Sequence, residues 1–256
     1  MNDFDVNNPL FVASVDKAFR ILQTFSSGQQ YLSLTELTQM TGMNKSAVQR
    51  FTYTLEALGY LHKSSKTRCY RLTPKAMDIT YSYLRSTPLI EIATPRIVDF
   101  RNRFGLTVNV SVLDGTDIVY ILRIPSHQQI LTATLIGRRV DAFCSSGGRA
   151  MLSKLPEDEY TKIIDNSTLE KRTPYTIIDR KEILQRIKTV KEQGYDTNNQ
   201  ECIVGEIVIG AAILSASGKP IAAIHIPVSA RDWSEERLKN EISHEVIALA
   251  QSIHHP

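Results

Sequence analysis

The sequence lacks any hydrophobic run of the roughly 20 residues that a transmembrane helix needs. Residues 203–214 are apolar, but Gly205, Glu206 and Gly210 interrupt them. The N-terminus begins Met-Asn-Asp-Phe-Asp, which is acidic where a secretory signal peptide is basic and then apolar. These absences predict a cytoplasmic protein with no membrane partner.

Cysteine is also scarce, since the chain holds only Cys69, Cys144 and Cys202. Three cysteines cannot all pair within one chain, and no Cys-x-x-Cys motif or His/Cys cluster indicates structural zinc. The sequence therefore predicts free thiols in a reducing compartment, with no metal and no cofactor.

The composition is that of an ordinary globular protein, with 256 residues, 42% hydrophobic and 22% charged. This length suits two modest domains or one large one. Residues 1–87 hold 10 Lys and Arg against 6 Asp and Glu, whereas residues 88–256 hold 20 against 21. A basic cluster on a small N-terminal segment is typical of a nucleic-acid contact, although a solvated face has the same composition.

The first 72 residues show the pattern of a winged helix-turn-helix. A helix is predicted over 14–25, and Ser33 and Glu36 have capping-box spacing at the start of a second helix that Gly42 ends. Asn44 caps a third helix, and the short strands 60–62 and 69–72 flank a polar basic loop. Apolar residues recur at helical spacing on the first helix, at Val15, Ala18, Phe19 and Leu22, and its apolar face is an expected subunit contact. The predicted buried stripe of the third helix is Val48, Phe51, Leu55 and Leu58.

In such a domain the third helix presents polar side chains to the major groove, and the wing lies along the DNA backbone. The predicted DNA contacts are Lys45, Ser46, Gln49, Arg50 and Tyr53 on the helix, with Lys63, Lys66 and Arg68 on the wing. The alternative is a three-helix protein-interaction module with a solvated polar face.

The rest of the chain predicts a linker helix over 73–87 and an α+β domain over 88–256. A helix is expected over 88–104, with Pro95 inside it. Apolar strands are predicted at 107–113, 118–124, 130–136, 206–214 and 220–228, and helices at 148–155, 157–165, 179–193 and 234–254. Hairpins interleaved with helices favour a largely antiparallel sheet over a doubly wound parallel one.

Taken in order, these segments resemble the IclR family of bacterial transcriptional regulators. The similar segments are SVDKAFRIL at 14–22, SLTEL at 33–37, GMNKS at 42–46, LEALGYL at 55–61, YRL at 70–72 and SSGGRA at 145–150. The resemblance implies a winged-helix domain, a linker helix and a GAF-like effector domain. It further implies a homodimer or homotetramer that binds a palindromic double-stranded DNA operator and responds to a small organic or aromatic acid.

The segment 144–148, Cys-Ser-Ser-Gly-Gly, precedes a helix and predicts a carboxylate cradle built from exposed amides. A tight turn with no ligand is the alternative. The resemblance places eight residues at the effector: Ser145, Ser146, Gly147, Gly148, Asn198, Val208, His225 and Pro227. Here Asn198 replaces an acidic residue of the best-known family pattern, Val208 a cysteine, and His225 and Pro227 two small hydroxyl residues. Because Asn198 donates and accepts and His225 can become cationic, the pair predicts a carboxylate bearing a hydroxyl or keto group.

Two other functions remain open for the second domain. A hydrolase would use Cys144 or Ser146 as nucleophile and His225 as base, but the sequence contains no G-x-S-x-G elbow. We therefore predict no catalytic residues. A domain that only oligomerises and senses nothing is the other possibility.

Overall fold

The structure, a computed structural model, describes residues 7–126 and 136–253. These residues form two compact units, the first ending at Ser86 and the second beginning at Thr87. Within the described ranges, no helix has both the length and the apolar character needed to cross a membrane.

The first unit contains three helices followed by an antiparallel hairpin, which confirms the predicted winged helix-turn-helix. Its elements are α1 (Ala13–Thr24), α2 (Leu34–Thr41), α3 (Lys45–Ala57), β1 (Leu61–Lys63), β2 (Tyr70–Leu72) and α4 (Ala76–Arg85). The capping box is present: Ser33 Oγ accepts from the Glu36 amide at 3.3 Å, and Glu36 Oε2 accepts from the Ser33 amide at 2.7 Å. Gly42 ends α2 with φ +67°, and Asn44 Oδ1 caps α3 by accepting from the Ala47 amide at 2.8 Å.

Two of the apolar residues that recur at helical spacing on α1 are exposed. Ile21 is the buried residue of this helix, whereas Val15 and Phe19 are each 51% exposed. Apolar residues on α1 form two overlapping stripes, and spacing alone does not say which one faces α2 and α3. On α3, Val48 and Leu55 are buried as predicted, but Leu58 lies at the C-terminal cap and is 53% exposed.

The second unit is a six-stranded antiparallel sheet with helices, which confirms the predicted α+β class. Its elements are α5 (Pro88–Phe104), β3 (Val108–Asp114), β4 (Asp117–Ile124), β5 (Arg139–Asp141), α6 (Ser146–Leu152), α7 (Glu157–Asp165), α8 (Arg180–Gln193), β6 (Asp196–Asn199), β7 (Glu206–Leu214), β8 (Pro220–Ser229) and α9 (Glu235–Ser252). The strand order is β5-β4-β3-β8-β7-β6. The strand predicted at 130–136 lies outside the described residues except for its last position. The short strands β5 and β6 were not predicted, because neither carries an apolar run.

Candidate functional site

A groove of about 380 Å³ lies between α3 and the wing, and predicted DNA-contact residues line it. These residues are Ser46, Gln49, Arg50, Tyr53 and Lys63. Four of them are exposed, and Tyr53 is 73% exposed, because the opposite face of α3 carries the buried Val48 and Leu55. The fold therefore collects on one open surface the side chains that the sequence singled out.

The wing is a tight hairpin with basic side chains at its tip. The Ser64 amide donates to Cys69 O and the Arg68 amide to Ser64 O, both at 2.9 Å. Lys66 and Arg68 are exposed at this turn, and Lys45 is exposed at the start of α3. Lys63 is partly buried and lies with Nζ 5.0 Å from the centroid of the Tyr70 ring. Three exposed cations thus lie at the start of α3 and at the wing tip, where phosphate contacts are expected.

A second, narrow cavity lies in the C-terminal unit, between the N-terminal end of α6 and strands β4, β6, β7 and β8. Its volume of about 10 Å³ is enough for about one water molecule, so a larger ligand must displace side chains to enter. The lining residues are Tyr120, Arg138, Val140, Ser145, Ser146, Asn198, Cys202, Ile203, Glu206, Val208 and His225. The predicted effector residues Gly147, Gly148 and Pro227 do not line it.

The two glycines of the predicted cradle serve packing. A Cβ at Gly147 would collide with the His225 ring, and one at Gly148 would collide with the backbone of Ala142. The Gly148 amide is already used, since it donates to Ser145 Oγ at 3.1 Å. These glycines let the seven-residue helix α6 lie directly on the sheet. The expectation that their amides cradle a carboxylate is therefore not supported.

Both amide hydrogens of Asn198 are used within the described structure, and one lone pair of its Oδ1 remains. Its Nδ2 donates to Cys144 O at 2.7 Å and to Cys202 Sγ at 2.9 Å, and its Oδ1 accepts from the Glu201 amide at 2.8 Å. The side chain fastens the loop after β6 to the residue before the α6 cap. Asn198 therefore has a structural role in holding this loop.

His225 is expected to be neutral in the ligand-free fold, because burial lowers its pKa. The side chain is buried on β8, its Nε2 lies 2.6 Å from Ser111 Oγ, and burial lowers its pKa to about 3. Desolvation disfavours the charged ring, and no carboxylate of the described residues is hydrogen-bonded to it to offset that cost.

Ser146 carries the clearest signal of a ligand site. The residue is 1% exposed and lines the cavity. Its hydroxyl oxygen has no hydrogen-bond partner among the described residues. A buried hydroxyl without a partner costs about 1–3 kcal/mol, so a water molecule or a ligand group in the cavity is expected to bond it. Tyr120 adds a phenolic hydroxyl that stays protonated, because burial raises its pKa.

The residues proposed for a hydrolase do not form a catalytic pair. His225 Nε2 is bonded to Ser111 and Ser146 Oγ is unpartnered, so the imidazole does not activate the serine. A hydrogen bond to Cys202 and burial both raise the pKa of the Cys144 thiol, which opposes a nucleophilic thiolate. The two free cysteines lie with their sulfurs 3.4 Å apart although 58 positions separate them.

Among the described residues, no group of three or more His, Cys, Asp or Glu side chains could hold a metal ion.

Arg149 is a key residue to which sequence reasoning assigned no role. It is fully buried, with Nε donating to Asp196 Oδ2 at 2.5 Å and the two Nη atoms donating to the Glu201 carboxylate at 2.9 and 2.7 Å. Arg186 donates to the other Asp196 oxygen at 2.9 Å. We call Arg149, Asp196 and Glu201 the buried ion cluster; it joins α6 to β6 and to the loop that follows. In the sequence, Arg149 stands out only as the arginine of the segment SSGGRA.

Comparisons with known proteins identify the family of both units. The description "IclR helix-turn-helix domain" matches residues 14–65, and "Bacterial transcriptional regulator IclR C-terminal" matches residues 81–255. The Pca regulon regulatory protein of Pseudomonas putida is 27% identical over 97% of this chain and 85% of its own. The transcriptional regulator KdgR of Escherichia coli is 30% identical over 92% of this chain and 89% of its own.

One solved structure resembles this chain and holds a small acid. It is an IclR homologue from Microbacterium hydrocarbonoxydans in complex with 4-hydroxybenzoate, 18% identical, with a TM-score of 0.73 over 94% of this chain and 98% of its own. The family matches span both units, and the curated relatives are regulators of transcription. This chain belongs to the IclR family of DNA-binding bacterial transcriptional regulators and is not an enzyme.

Proposed function

We propose that this regulator binds a palindromic operator as a homodimer or homotetramer and changes its DNA affinity when a small organic or aromatic carboxylate enters the cavity of the second unit. Residues 1–72 serve as the DNA-binding domain, 73–87 as the linker helix and 88–256 as the effector domain. The regulator acts in the cytoplasm, where bacterial DNA lies.

The observation that carries this proposal is the unpartnered, buried hydroxyl of Ser146 in the cavity. Arg138 also lines the cavity, and its guanidinium is a suitable partner for a carboxylate. A structural neighbour holding 4-hydroxybenzoate further supports an acid as effector. Asn198 and His225 shape the cavity wall in this proposal, and neither bonds the ligand.

Binding of such an acid should change the affinity for the operator by about 5–150-fold, a usual size for allosteric coupling. The acid can act only if it binds the DNA-competent and DNA-incompetent arrangements unequally. The test measures binding to DNA from upstream of the regulator's own gene by fluorescence anisotropy, with and without a panel of organic and aromatic acids. If no acid of the panel changes either the affinity for DNA or the melting temperature of the regulator, the result would favour a second domain that only oligomerises.

Replacing Arg50 by alanine should weaken specific DNA binding by about 1–3 kcal/mol, because its exposed guanidinium lies on the groove-facing side of α3. Replacing Lys66 at the wing tip should weaken binding to all sequences similarly and flatten the salt dependence. Titrations of specific and random duplexes at several salt concentrations distinguish the two effects. Lys181→Ala on α8 is the control, and an Arg50→Ala variant with unchanged sequence preference would contradict base reading by this helix.

Exposed apolar side chains on the first unit predict the subunit contact. Val15 and Phe19 on α1 are each 51% exposed, and Met77 and Tyr81 on α4 are 68% and 63% exposed. A twofold dimer places two recognition helices about 34 Å apart, or one DNA turn, which requires a palindrome. Light scattering should show a dimer or tetramer at micromolar concentration, and Phe19→Glu combined with Tyr81→Glu should dissociate it. A wild-type monomer, both free and on DNA, would exclude this assembly.

A further inference from the structure

We infer that Cys144 and Cys202 are a redox-active dithiol, which a hydroperoxide converts into a disulfide that ties the loop after β6 to the N-terminal end of α6. The site lies within the second unit, and the inference depends neither on the DNA contacts nor on the effector acid. Disulfides that form in a reducing compartment are usually transient and redox-sensing. The pair is therefore a modification site, and the oxidant is its substrate.

The two sulfur atoms are already in contact. They lie 3.4 Å apart, although 58 positions separate the residues. A disulfide bond is about 2.05 Å long, so the sulfurs must approach by about 1.4 Å. Cys144 is fully buried and precedes the Ser145 cap of α6, whereas Cys202 lies in the loop 200–205, where Val204 is 61% exposed. The loop can supply this small movement without a change in the sheet.

Asn198 holds both cysteines in this arrangement. Its Nδ2 donates to Cys144 O at 2.7 Å and to Cys202 Sγ at 2.9 Å. Its Oδ1 accepts from the Glu201 amide at 2.8 Å, which fixes the backbone next to Cys202. A donor directed at a sulfur atom stabilises negative charge there, so this contact favours the thiolate that attacks an oxidant. Two cysteines that only fill space would need no such donor.

Cys202 is the cysteine that an oxidant reaches first. It is partly exposed and lines a groove of about 390 Å³, whereas Cys144 is 0% exposed. The groove is also lined by charged residues of both signs, which are Asp117, Arg138, Arg139, Asp141 and Arg172, so access distinguishes the two sulfurs. A hydrogen bond to Cys202 and burial raise the pKa of the Cys144 thiol. Oxidation of Cys202 replaces the thiol that makes this hydrogen bond, and the largest cause of the raised pKa is then removed before Cys144 reacts.

The reaction balances with a hydroperoxide as oxidant. The Cys202 thiolate attacks the terminal oxygen, the O–O bond breaks, and the leaving alkoxide takes up the proton that the thiol lost. This step gives a sulfenic acid and an alcohol, or water from hydrogen peroxide. The Cys144 sulfur then attacks the Cys202 sulfur, the S–O bond breaks, and hydroxide leaves as water with the Cys144 proton. The two thiols lose two electrons and two protons, which the hydroperoxide gains.

The test treats the reduced full chain with hydrogen peroxide, blocks the remaining thiols with N-ethylmaleimide and maps disulfides by peptide mass spectrometry. A Cys144–Cys202 disulfide should form within one chain, so that the three thiols of the reduced chain fall to one. The oxidised second unit should melt about 5–15 °C higher, because a cross-link across this separation restricts the unfolded chain. The fluorescence of Trp233 reports this melting, and dithiothreitol should reverse both changes.

Three variants assign the roles of the cysteines. Cys144→Ala should stop at the sulfenic acid of Cys202, which dimedone traps, because the resolving thiol is missing. Cys202→Ala should leave the buried Cys144 reduced. Cys69→Ala is the matched control, since it removes a partly exposed cysteine of the first unit and should leave the disulfide and the rise in melting temperature unchanged. If circular dichroism shows that a variant of the pair does not fold, the disulfide map and the melting of Cys69→Ala decide.

Several results would overturn the inference. Peroxide that oxidises Cys69 while Cys144 and Cys202 remain thiols would show that the pair is not redox-active. Disulfides only between chains, or Cys202 driven to sulfinic acid with no disulfide, would show that Cys144 does not resolve the sulfenic acid. A disulfide that forms without raising the melting temperature would contradict the tie between the loop and α6. None of these results changes the case for DNA binding or acid sensing.

Discussion

Replacing Arg149 by methionine should lower the free energy of unfolding of the second unit by about 3–5 kcal/mol, the usual cost of breaking a buried ion pair. The guanidinium is fully buried and donates hydrogen bonds to both Asp196 and Glu201. Asp196 keeps its bond to Arg186 in the variant, but Glu201 loses its only cationic partner in the described structure. The cost therefore comes mainly from a carboxylate left buried without compensation.

Denaturant unfolding of the full chain measures this loss, followed by the fluorescence of Trp233, the single tryptophan, which lies in the second unit. Arg180→Met is the matched control, since Arg180 pairs with Asp165 in a bridge whose side chains are 47% and 48% exposed. That variant should lose at most about 1 kcal/mol, because water screens the exposed pair. An Arg149→Met variant as stable as the control would show that the buried ion cluster does not hold the loop after β6.

Lowering the pH from 7.5 to 5 should destabilise the second unit by about 2 kcal/mol through His225 alone. Burial lowers the pKa of His225 from 6.5 to about 3 in the folded state. Between these values the unfolded chain binds the proton and the folded chain does not, so stability falls as the pH falls. Each pH unit within this window costs about 1.4 kcal/mol.

His225→Gln isolates this effect, because an amide can still bond Ser111 but does not titrate. The stability difference between wild type and variant should change with pH over the range 5 to 7.5. Other groups act on both proteins alike: Glu206, with a raised pKa, opposes the trend, and Glu235, with a pKa lowered to about 2, contributes only at lower pH. Parallel pH profiles for the two proteins would contradict a neutral, buried imidazole.

Local signals in the sequence located several elements to within a residue or two. The helix over 88–104 was predicted with the bounds that α5 shows, because proline starts it and Gly105 ends it at φ +68°. Asp114 and Gly115 predicted the hairpin between β3 and β4, and Asn44 marked the start of α3. These signals work because caps and turns depend on residues that are adjacent in the chain.

The site was less accessible to sequence reasoning. Ser146 was predicted at the effector and lines the cavity, but Glu206 was noted only as an interruption of an apolar run. Asn198 and His225 were expected to bind the ligand; both line the cavity, and the fold also engages them in internal hydrogen bonds. Whether a polar side chain is free depends on the groups that folding places around it, which the chain order does not show.

The sequence by itself determined the family, the helices with clear capping residues, the strands that flank clear turns, and the exposed polar face of α3. The tertiary structure alone decided that Gly147 packs against His225, that Arg149 meets Asp196 and Glu201, and that Cys144 lies beside Cys202. The physical reason is the range of the interactions. Caps and periodicity act over three or four residues, whereas burial, ion pairing and the pKa of His225 arise between residues about 50 or more positions apart.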